Sequence, residues 1–243
     1  MVFGRGRKAK QEQLTDTGET GEAEAVDAGA AAGATDGAVR NAGPYDASEI
    51  DNQDGYVDLG ALLIAPREGL QLRLEVEEAT QRVVAVTMDL EGSSLQLQAF
   101  AAPRSEGLWD EIREQIGQSV GSQGGQVDEI EGHFGIELVA KLPAGDGSEG
   151  YRVARFIGVD GPRWFLRAVV SGRAAIEPAA AEAVHDVIRT TVIDRGEEAM
   201  PPRELLPLRL PDADGAVQAE EGAVEGGPDL NPFERGPEIT EVR

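Results

Sequence analysis

The chain has no cysteine and only two histidines, His133 and His185. The absence of cysteine excludes disulfide bonds, cysteine-ligated zinc and iron–sulfur clusters. His133 follows Asp128, Glu129 and Glu131, but this spacing matches no metal-binding motif, so we expect His133 in a solvated turn. We therefore expect neither a metal nor a cofactor.

Long apolar runs are also missing. A transmembrane helix needs about 20 consecutive apolar residues, and no stretch of the chain approaches that length. A basic cluster near the start (Arg5, Arg7, Lys8 and Lys10) has no apolar run behind it, although a signal peptide requires one. We expect a cytoplasmic protein with no membrane partner.

Basic residues are scarce, because 22 Lys and Arg stand against 45 Asp and Glu, which gives a formal net charge of -23. Such an excess of negative charge repels nucleic acids and anionic membranes, which are themselves negative. It is compatible with basic protein partners. The composition therefore disfavours a general nucleic-acid-binding protein.

Common catalytic motifs are absent too. The sequence has no G-x-S-x-G nucleophile elbow, no G-x-G-x-x-G after a predicted strand and no phosphate-binding loop. Paired carboxylates are too numerous in so acidic a chain to mark a catalytic site. We expect that the protein is not an enzyme.

Composition divides the chain into three parts. Residues 1–55 are rich in Ala, Gly and acidic residues and have no apolar periodicity, so we expect them to be disordered. Residues 56–211 contain the strand and helix patterns and form the predicted domain. Its last part, Met200–Pro211, alternates Leu with Pro and is expected to dock on the domain as an extended arm. Residues 212–243 form a second acidic segment that we expect to be disordered.

Within residues 56–211 the apolar spacing predicts an α+β fold. Period-2 alternation predicts strands, beginning with Leu70–Val76, Arg82–Leu90 and Ser94–Ala101. Apolar residues every fourth position in Ser105–Val120 predict a helix with Ser105 as N-cap. Further strands follow, and a second helix begins at Pro178 and contains His185 as a half-buried packing residue. The expected architecture is an antiparallel sheet of about seven strands with two packed helices, flanked by disordered tails.

The segment "YRVARFIGVDGPRWFLRAVVSG" (residues 151–172, hereafter the arginine hairpin) is the most unusual part of the sequence. A turn at Asp160-Gly161 would place Phe156 opposite Phe165 and Ile157 opposite Trp164. Trp164 would then lie on the core face. The other face would interleave aromatic rings with guanidinium groups, through Arg152, Phe156, Arg163, Phe165 and Arg167.

Three interpretations of this Arg/Phe face are open. The arginines pair with carboxylates of neighbouring strands and of the first helix. Alternatively, they contact a protein or peptide. The third interpretation is an anion or nucleic-acid site, because single-stranded nucleic acid is bound by aromatic rings that stack on bases and by basic groups that contact phosphates.

One segment of the acidic tail also stands out. In "DLNPFERG" (residues 229–236), Leu230, Pro232 and Phe233 are bulky residues among Gly, Glu and Asp. Such short apolar segments in disordered chains act as docking motifs, with Phe233 as the apolar anchor. The alternative is that Phe233 packs on its own domain or has no role.

The strings "GLQLRLEV", "SSLQLQAFAAPRSEGLWDEIR" and "GVDGPRWFLRAVVSG" together resemble an actinobacterial domain family of unknown function. Its members are Ala/Gly/Val-rich proteins that are often encoded next to dUTPase. The resemblance covers Tyr56 to Pro211, and it implies no catalytic or ligand-binding residues.

These observations predict a non-catalytic protein-binding module with an unknown protein partner. The alternative is an anion- or nucleic-acid-binding module that uses the Arg/Phe face of the arginine hairpin. The two interpretations differ in whether that face is exposed.

Overall fold

The computed structural model describes residues 43–144 and 150–211. The predictions for residues 1–42 and for the tail from 212 onward, including Phe233, lie outside the described residues. The described elements, in chain order, are β1 Tyr45–Asp46, β2 Val57–Asp58, β3 Leu62–Ile64, β4 Gln71–Glu77, β5 Arg82–Leu90, β6 Ser93–Ala101, α1 Trp109–Ser122, β7 Gln126–Gly132, β8 Gly135–Pro143, β9 Tyr151–Gly161, β10 Trp164–Gly172, α2 Pro178–Thr190 and β11 Val192–Ile193.

The main layer is a seven-stranded sheet with the order β4-β5-β6-β10-β9-β8-β7. Every neighbouring pair in it is antiparallel. The predicted α+β fold, with about seven antiparallel strands and two helices, is confirmed. The pairing of β6 with β10 joins strands β4–β6 to strands β7–β9, which places β9 and β10 near the centre of the sheet and β4 and β7 at its edges.

A second, smaller sheet was not predicted. It contains the short strands β1, β11, β3 and β2, and β1 runs parallel to β11. The small sheet therefore includes residues before residue 56, namely Tyr45–Asp46. A strand of two residues is too short to show a period-2 pattern, and β1 pairs with a strand almost 150 positions later, Tyr45 with Val192, so local composition could not reveal this pairing.

Each helix covers one face of the large sheet. Ile112, Ile116 and Val120 of α1 recur every fourth residue and are buried with Phe156 and Phe165 in one apolar cluster. On the opposite face, α2 buries its apolar stripe in the larger cluster, and Pro178 starts this helix as predicted. Neither described helix has the length and apolar character needed to cross a membrane.

The Pro/Leu arm, Met200–Pro211, contacts both sheets. The backbone N–H of Leu206 donates to Ala99 O at 2.9 Å and that of Arg209 donates to Leu59 O at 2.9 Å. The side chain of Leu206 is buried. Since Ala99 belongs to the large sheet and Leu59 leads into the small one, the arm joins the two sheets.

Candidate functional site

The arginine hairpin has a different turn from the predicted one. Strand β9 continues through Asp160 and Gly161, and Gly161 pairs with Trp164, so the turn is Pro162-Arg163. Proline fixes the backbone for the first central position of a turn, and Arg163 takes the positive φ of 61° at the second. Phe156 therefore faces Val169 rather than Phe165, and the predicted pairing was wrong by four positions (169 against 165). Side chains alternate between the two faces of a strand, so a register shift of four positions leaves each residue opposite one from the same face. The predicted division of side chains between the two faces is therefore unchanged.

Asp160 stays in the strand because its carboxylate caps α1. It accepts hydrogen bonds from the backbone N–H of Leu108 at 2.6 Å and of Trp109 at 3.3 Å. The first N–H groups of a helix have no partner within the helix, so a carboxylate there is stabilising. The helix begins at Trp109 without a side-chain cap of its own, and the predicted Ser105 N-cap was wrong.

The Arg/Phe face is covered by α1. Phe156 and Phe165 are 1% and 0% exposed, and the indole of Trp109 stacks on Phe165 with ring centroids 6.1 Å apart. The helix approaches this closely because Gly158 has no side chain: a Cβ there would lie 2.2 Å from the Trp109 ring. The two phenyl rings are core residues in this fold and are not presented for stacking on a base.

Two arginines near the centre of the hairpin, Arg155 and Arg167, are engaged within the protein. Arg167 is buried, donates to Gln98 Oε1 through Nε at 3.1 Å and lies over the Phe100 ring. Arg155 pairs with the buried carboxylate of Glu137 at 3.4 Å.

The two remaining site candidates of the hairpin lie at its opposite ends. Arg163, in the turn, is half-buried and donates to Gly196 O at 3.5 Å. Arg152 is exposed at the start of β9. The structure therefore does not bring Arg152, Phe156, Arg163, Phe165 and Arg167 together on one exposed surface.

An exposed backbone is found instead at β7, the last strand of the sheet. This strand pairs with β8 along its whole length, from Gln126 with Lys141 to Gly132 with Gly135, without a register shift. Among the described strands, none pairs with its other side. It contains no proline, so its outward N–H and C=O groups form a regular row that a further strand could continue.

The charge of β7 is entirely negative, from Asp128, Glu129 and Glu131. Two of these carboxylates have basic partners on neighbouring elements: Lys141 lies 3.4 Å from Asp128, and Arg113 lies 3.1 Å from Glu129. Within the described ranges no basic side chain pairs with Glu131, which is exposed at the turn end of the strand.

The opposite edge, β4, is less regular. Its pairing with β5 shifts at Glu75/Val76, and the Glu75 carboxylate is occupied by hydrogen bonds from Thr87 and Gln96. Arg73 pairs with Asp89. Irregular pairing is a feature by which proteins block strand addition, so β7 is the more regular of the two sheet edges.

A polar cluster lies between the β7–β8 turn and α2. His185 is 6% exposed, and its ring is stacked on that of His133 with centroids 5.4 Å apart. Burial lowers the pKa of His185, and the nearby His133 lowers it further. His185 is more deeply buried than the sequence suggested, and the contact between the two histidines, 52 positions apart (185 against 133), could not be read from the sequence.

The surface has shallow depressions. One, of about 340 Å³, is formed by turn residues including Gly92, Ser93 and Gly172. Another, of about 310 Å³, includes Arg67 and Arg189, which both contact the Asp186 carboxylate, and their hydrogen bonds lower its pKa. Within residues 43–144 and 150–211, no His, Asp and Glu side chains are grouped so that they could hold a metal ion.

Comparison with curated proteins and with solved structures gives no match. The model of one protein family, described as "Protein of unknown function (DUF3710)", matches residues 43–216. This range contains both sheets and both helices, and it begins two residues before β1 at Tyr45. Since the match covers well over half of the chain, the protein belongs to the DUF3710 family.

Proposed function

We propose that the protein is a cytoplasmic, non-catalytic protein-binding module that accepts a basic, extended segment of its partner at strand β7. The observation that carries the proposal is the unbroken register of β7 with β8 at the outer edge of the sheet. Strand addition at such an edge is a recurrent mode of peptide recognition, in which backbone hydrogen bonds give affinity and side chains give specificity.

The carboxylates of β7 determine which strand can bind. A basic segment would place cations beside Asp128, Glu129 and Glu131, and opposite charges on adjacent strands are stabilising. The exposed Ile136, which pairs with Glu131 across the hairpin, adds an apolar side chain to the same face. The expected segment therefore combines basic with apolar residues.

The same carboxylates disfavour pairing of two copies of this chain through β7. Two identical edges would bring their acidic side chains together, and like charges on adjacent strands are destabilising. The edge is thereby protected from self-association while it stays open to a basic partner.

The resemblance of residues 56–211 to actinobacterial proteins often encoded next to dUTPase suggests where the partner can be sought. We infer an actinobacterial origin for the chain on that resemblance. The products of adjacent genes are then the first candidates, and those with a basic extended segment fit the edge best.

The proposal is tested with the full chain and a short synthetic peptide of alternating lysine and valine. Hydrogen exchange monitored by mass spectrometry should show that the peptide protects residues 126–132. Protection should fall with rising salt, because exposed charges are screened. A peptide of alternating glutamate and valine should give no protection.

Two variants with the same change of charge locate the contact. Glu131→Lys lies on β7, whereas Glu78→Lys lies in the turn after β4. Glu131→Lys should weaken peptide binding and Glu78→Lys should leave it close to wild type. Equal binding by both variants, or protection of β4 in place of β7, would refute the β7 site.

A further inference from the structure

The turn between β7 and β8 rests on α2 through aromatic rings. His133 stacks on His185 with an interplanar angle of 20°, and Phe134 meets the His185 ring edge-on, with centroids 5.7 Å apart. The turn itself consists of only these two residues, His133 and Phe134, between the paired glycines Gly132 and Gly135. The rings therefore fix the end of the hairpin that carries the edge strand.

One hydrogen bond in this contact requires a neutral imidazole. Nη1 of Arg189, on α2, lies 2.7 Å from Nε2 of His133. A guanidinium can only donate, so Nε2 of His133 must accept and cannot carry a proton. Arg189 is itself held in place by Asp186 and Glu182 of the same helix.

Further charged groups lie beneath the rings. Glu137 of β8 is fully buried and pairs with Arg155 of β9. Gly132 makes room for this carboxylate, because a Cβ at residue 132 would lie 2.1 Å from Glu137 Cδ. Three polar atoms here are buried without a hydrogen-bond partner: Glu137 Oε1, Arg155 Nε and His185 Nδ1. Buried polar atoms without hydrogen-bond partners are already costly in a low-dielectric interior, so a further charge at this position destabilises the contact strongly.

We propose that His133 and His185 form a pH-sensitive clamp that holds the β7–β8 turn on α2 when both rings are neutral and releases it when they are protonated. The charged groups that face His185 are Arg155 from β9, Arg189 and Glu182 from α2, and His133 from the turn, with Glu137 paired to Arg155 from β8. His133, Arg155 and Arg189 oppose a proton on His185, whereas Glu182 favours one.

Protonation would disrupt the contact in two ways. A proton on Nε2 of His133 removes the acceptor for Arg189 and places two cations side by side. A proton on the buried His185 puts a charge in a desolvated position against His133 and Arg155. Burial and these neighbours lower the pKa of His185, which agrees with a site built for the neutral ring. The consequence for partner binding rests on the proposed function, whereas the clamp itself does not.

The clamp is tested by NMR on the full chain between about pH 7.5 and about pH 5.5, the range in which histidine titrates. The indole N–H of Trp109 reports on the turn, because it donates to Ile136 O at 2.6 Å, directly after the turn. We expect this indole signal to shift together with the imidazole signals. We also expect the hydrogen-exchange protection factors of the amides of residues 133–136, which are corrected for intrinsic exchange rates, to fall about tenfold at the lower pH. A tenfold change in an equilibrium constant corresponds to one pKa unit.

Two substitutions remove the titration but keep the contacts. His133→Gln retains an acceptor for Arg189, and His185→Phe retains a ring in the stack. The double variant should show neither the indole shift nor the loss of protection. His133 is exposed, so His133→Gln alone provides the test if the double variant does not fold, and it should reduce both responses.

The proposal is overturned if the wild-type imidazoles titrate without a change at Trp109 or residues 133–136, or if the variants respond as the wild type does. Peptide protection of β7 is measured in the same samples to separate the two proposals. A pH response of the turn without peptide binding would overturn the β7 function and support the clamp. Peptide binding without a pH response of the turn would support the β7 function and overturn the clamp.

Discussion

The arginine hairpin β9–β10 and the neighbouring hairpin β7–β8 belong to the same sheet but differ in what covers them. Strands β9 and β10 have a partner strand on each side, and α1 lies on their Arg/Phe face. Among the strands that the structure describes, β7 has a partner on one side only, and its acidic side chains are exposed. The arginine hairpin β9–β10 has the more distinctive composition and lies in the core. The β7–β8 hairpin has a less distinctive composition and forms the edge of the sheet.

The difference shows that composition does not decide exposure. Aromatic and arginine side chains can bind ligands, but Phe165 packs against α1, and both Phe165 and Arg167 lie between the neighbouring strands β6 and β9. The acidic pattern of β7 is that of any solvated strand face. The proposed role of β7 depends instead on its place as the last strand of the sheet.

The largest expected effect is in the arginine hairpin. Trp164 is fully buried and its Nε1 donates to Asp46 Oδ2 at 2.8 Å. Trp164→Ala should lower the free energy of unfolding by roughly 3–5 kcal/mol, because it leaves a large cavity. Urea unfolding measures this, and Glu131→Ala on the exposed edge should change it by less than about 0.5 kcal/mol. Similar losses for the two variants would contradict the division into a buried and an open hairpin.

The contact between α1 and the hairpin is tested by Gly158→Ala. The added Cβ would overlap the Trp109 ring, so the helix must shift, and we expect a loss of about 1–3 kcal/mol. Gly117→Ala within α1 is the matched control, because nothing lies within 4 Å of a Cβ there.

An alanine at an unobstructed helix position is favoured over glycine by roughly 0.5–1 kcal/mol. Gly117→Ala should therefore stabilise the protein in the same urea titrations. If Gly158→Ala also stabilised it, α1 would not cover the Arg/Phe face as described.

The cap of α1 gives a smaller effect. Asp160→Ala removes the acceptor for two backbone N–H groups and should cost about 1 kcal/mol. Ser105→Ala, at the position that the sequence suggested as N-cap, should be neutral, because the helix begins at Trp109. Thermal unfolding measures the loss of stability of each variant. A larger loss of stability for Ser105→Ala than for Asp160→Ala would contradict the capping of α1 by Asp160.

The smallest effect is the pH dependence contributed by His185 of α2, which contacts the β7–β8 turn. The pKa of His185 in the folded protein lies below its ordinary value of 6.5, so below about pH 6.5 the unfolded chain binds more protons than the folded one. The stabilising contribution is present above pH 6.5 and is lost as the pH falls toward the lower folded pKa. His185→Phe should therefore reduce the loss of stability between about pH 7.5 and about pH 5.5, as followed by urea unfolding. A larger loss in the variant would show the opposite sign.

Much of the candidate site could not be predicted from the sequence. The division of the hairpin side chains into two faces was correct, but the hydrogen bonds that keep Asp160 in β9 come from Leu108 and Trp109, about fifty positions earlier. Nor does any local signal join His133 to His185. Such contacts depend on which strands and helices become neighbours.

The sequence by itself determined the strands of the large sheet and the two helices α1 and α2 with their buried stripes. These follow from apolar periodicity and turn residues, which act over a few positions of the chain. The tertiary structure alone decided the hairpin register, the small sheet that begins at Tyr45, the burial of Phe156 and Phe165, and the open edge at β7. The physical reason is that strand order and helix packing are set by contacts between distant segments, and these contacts determine which of several similar surfaces faces solvent.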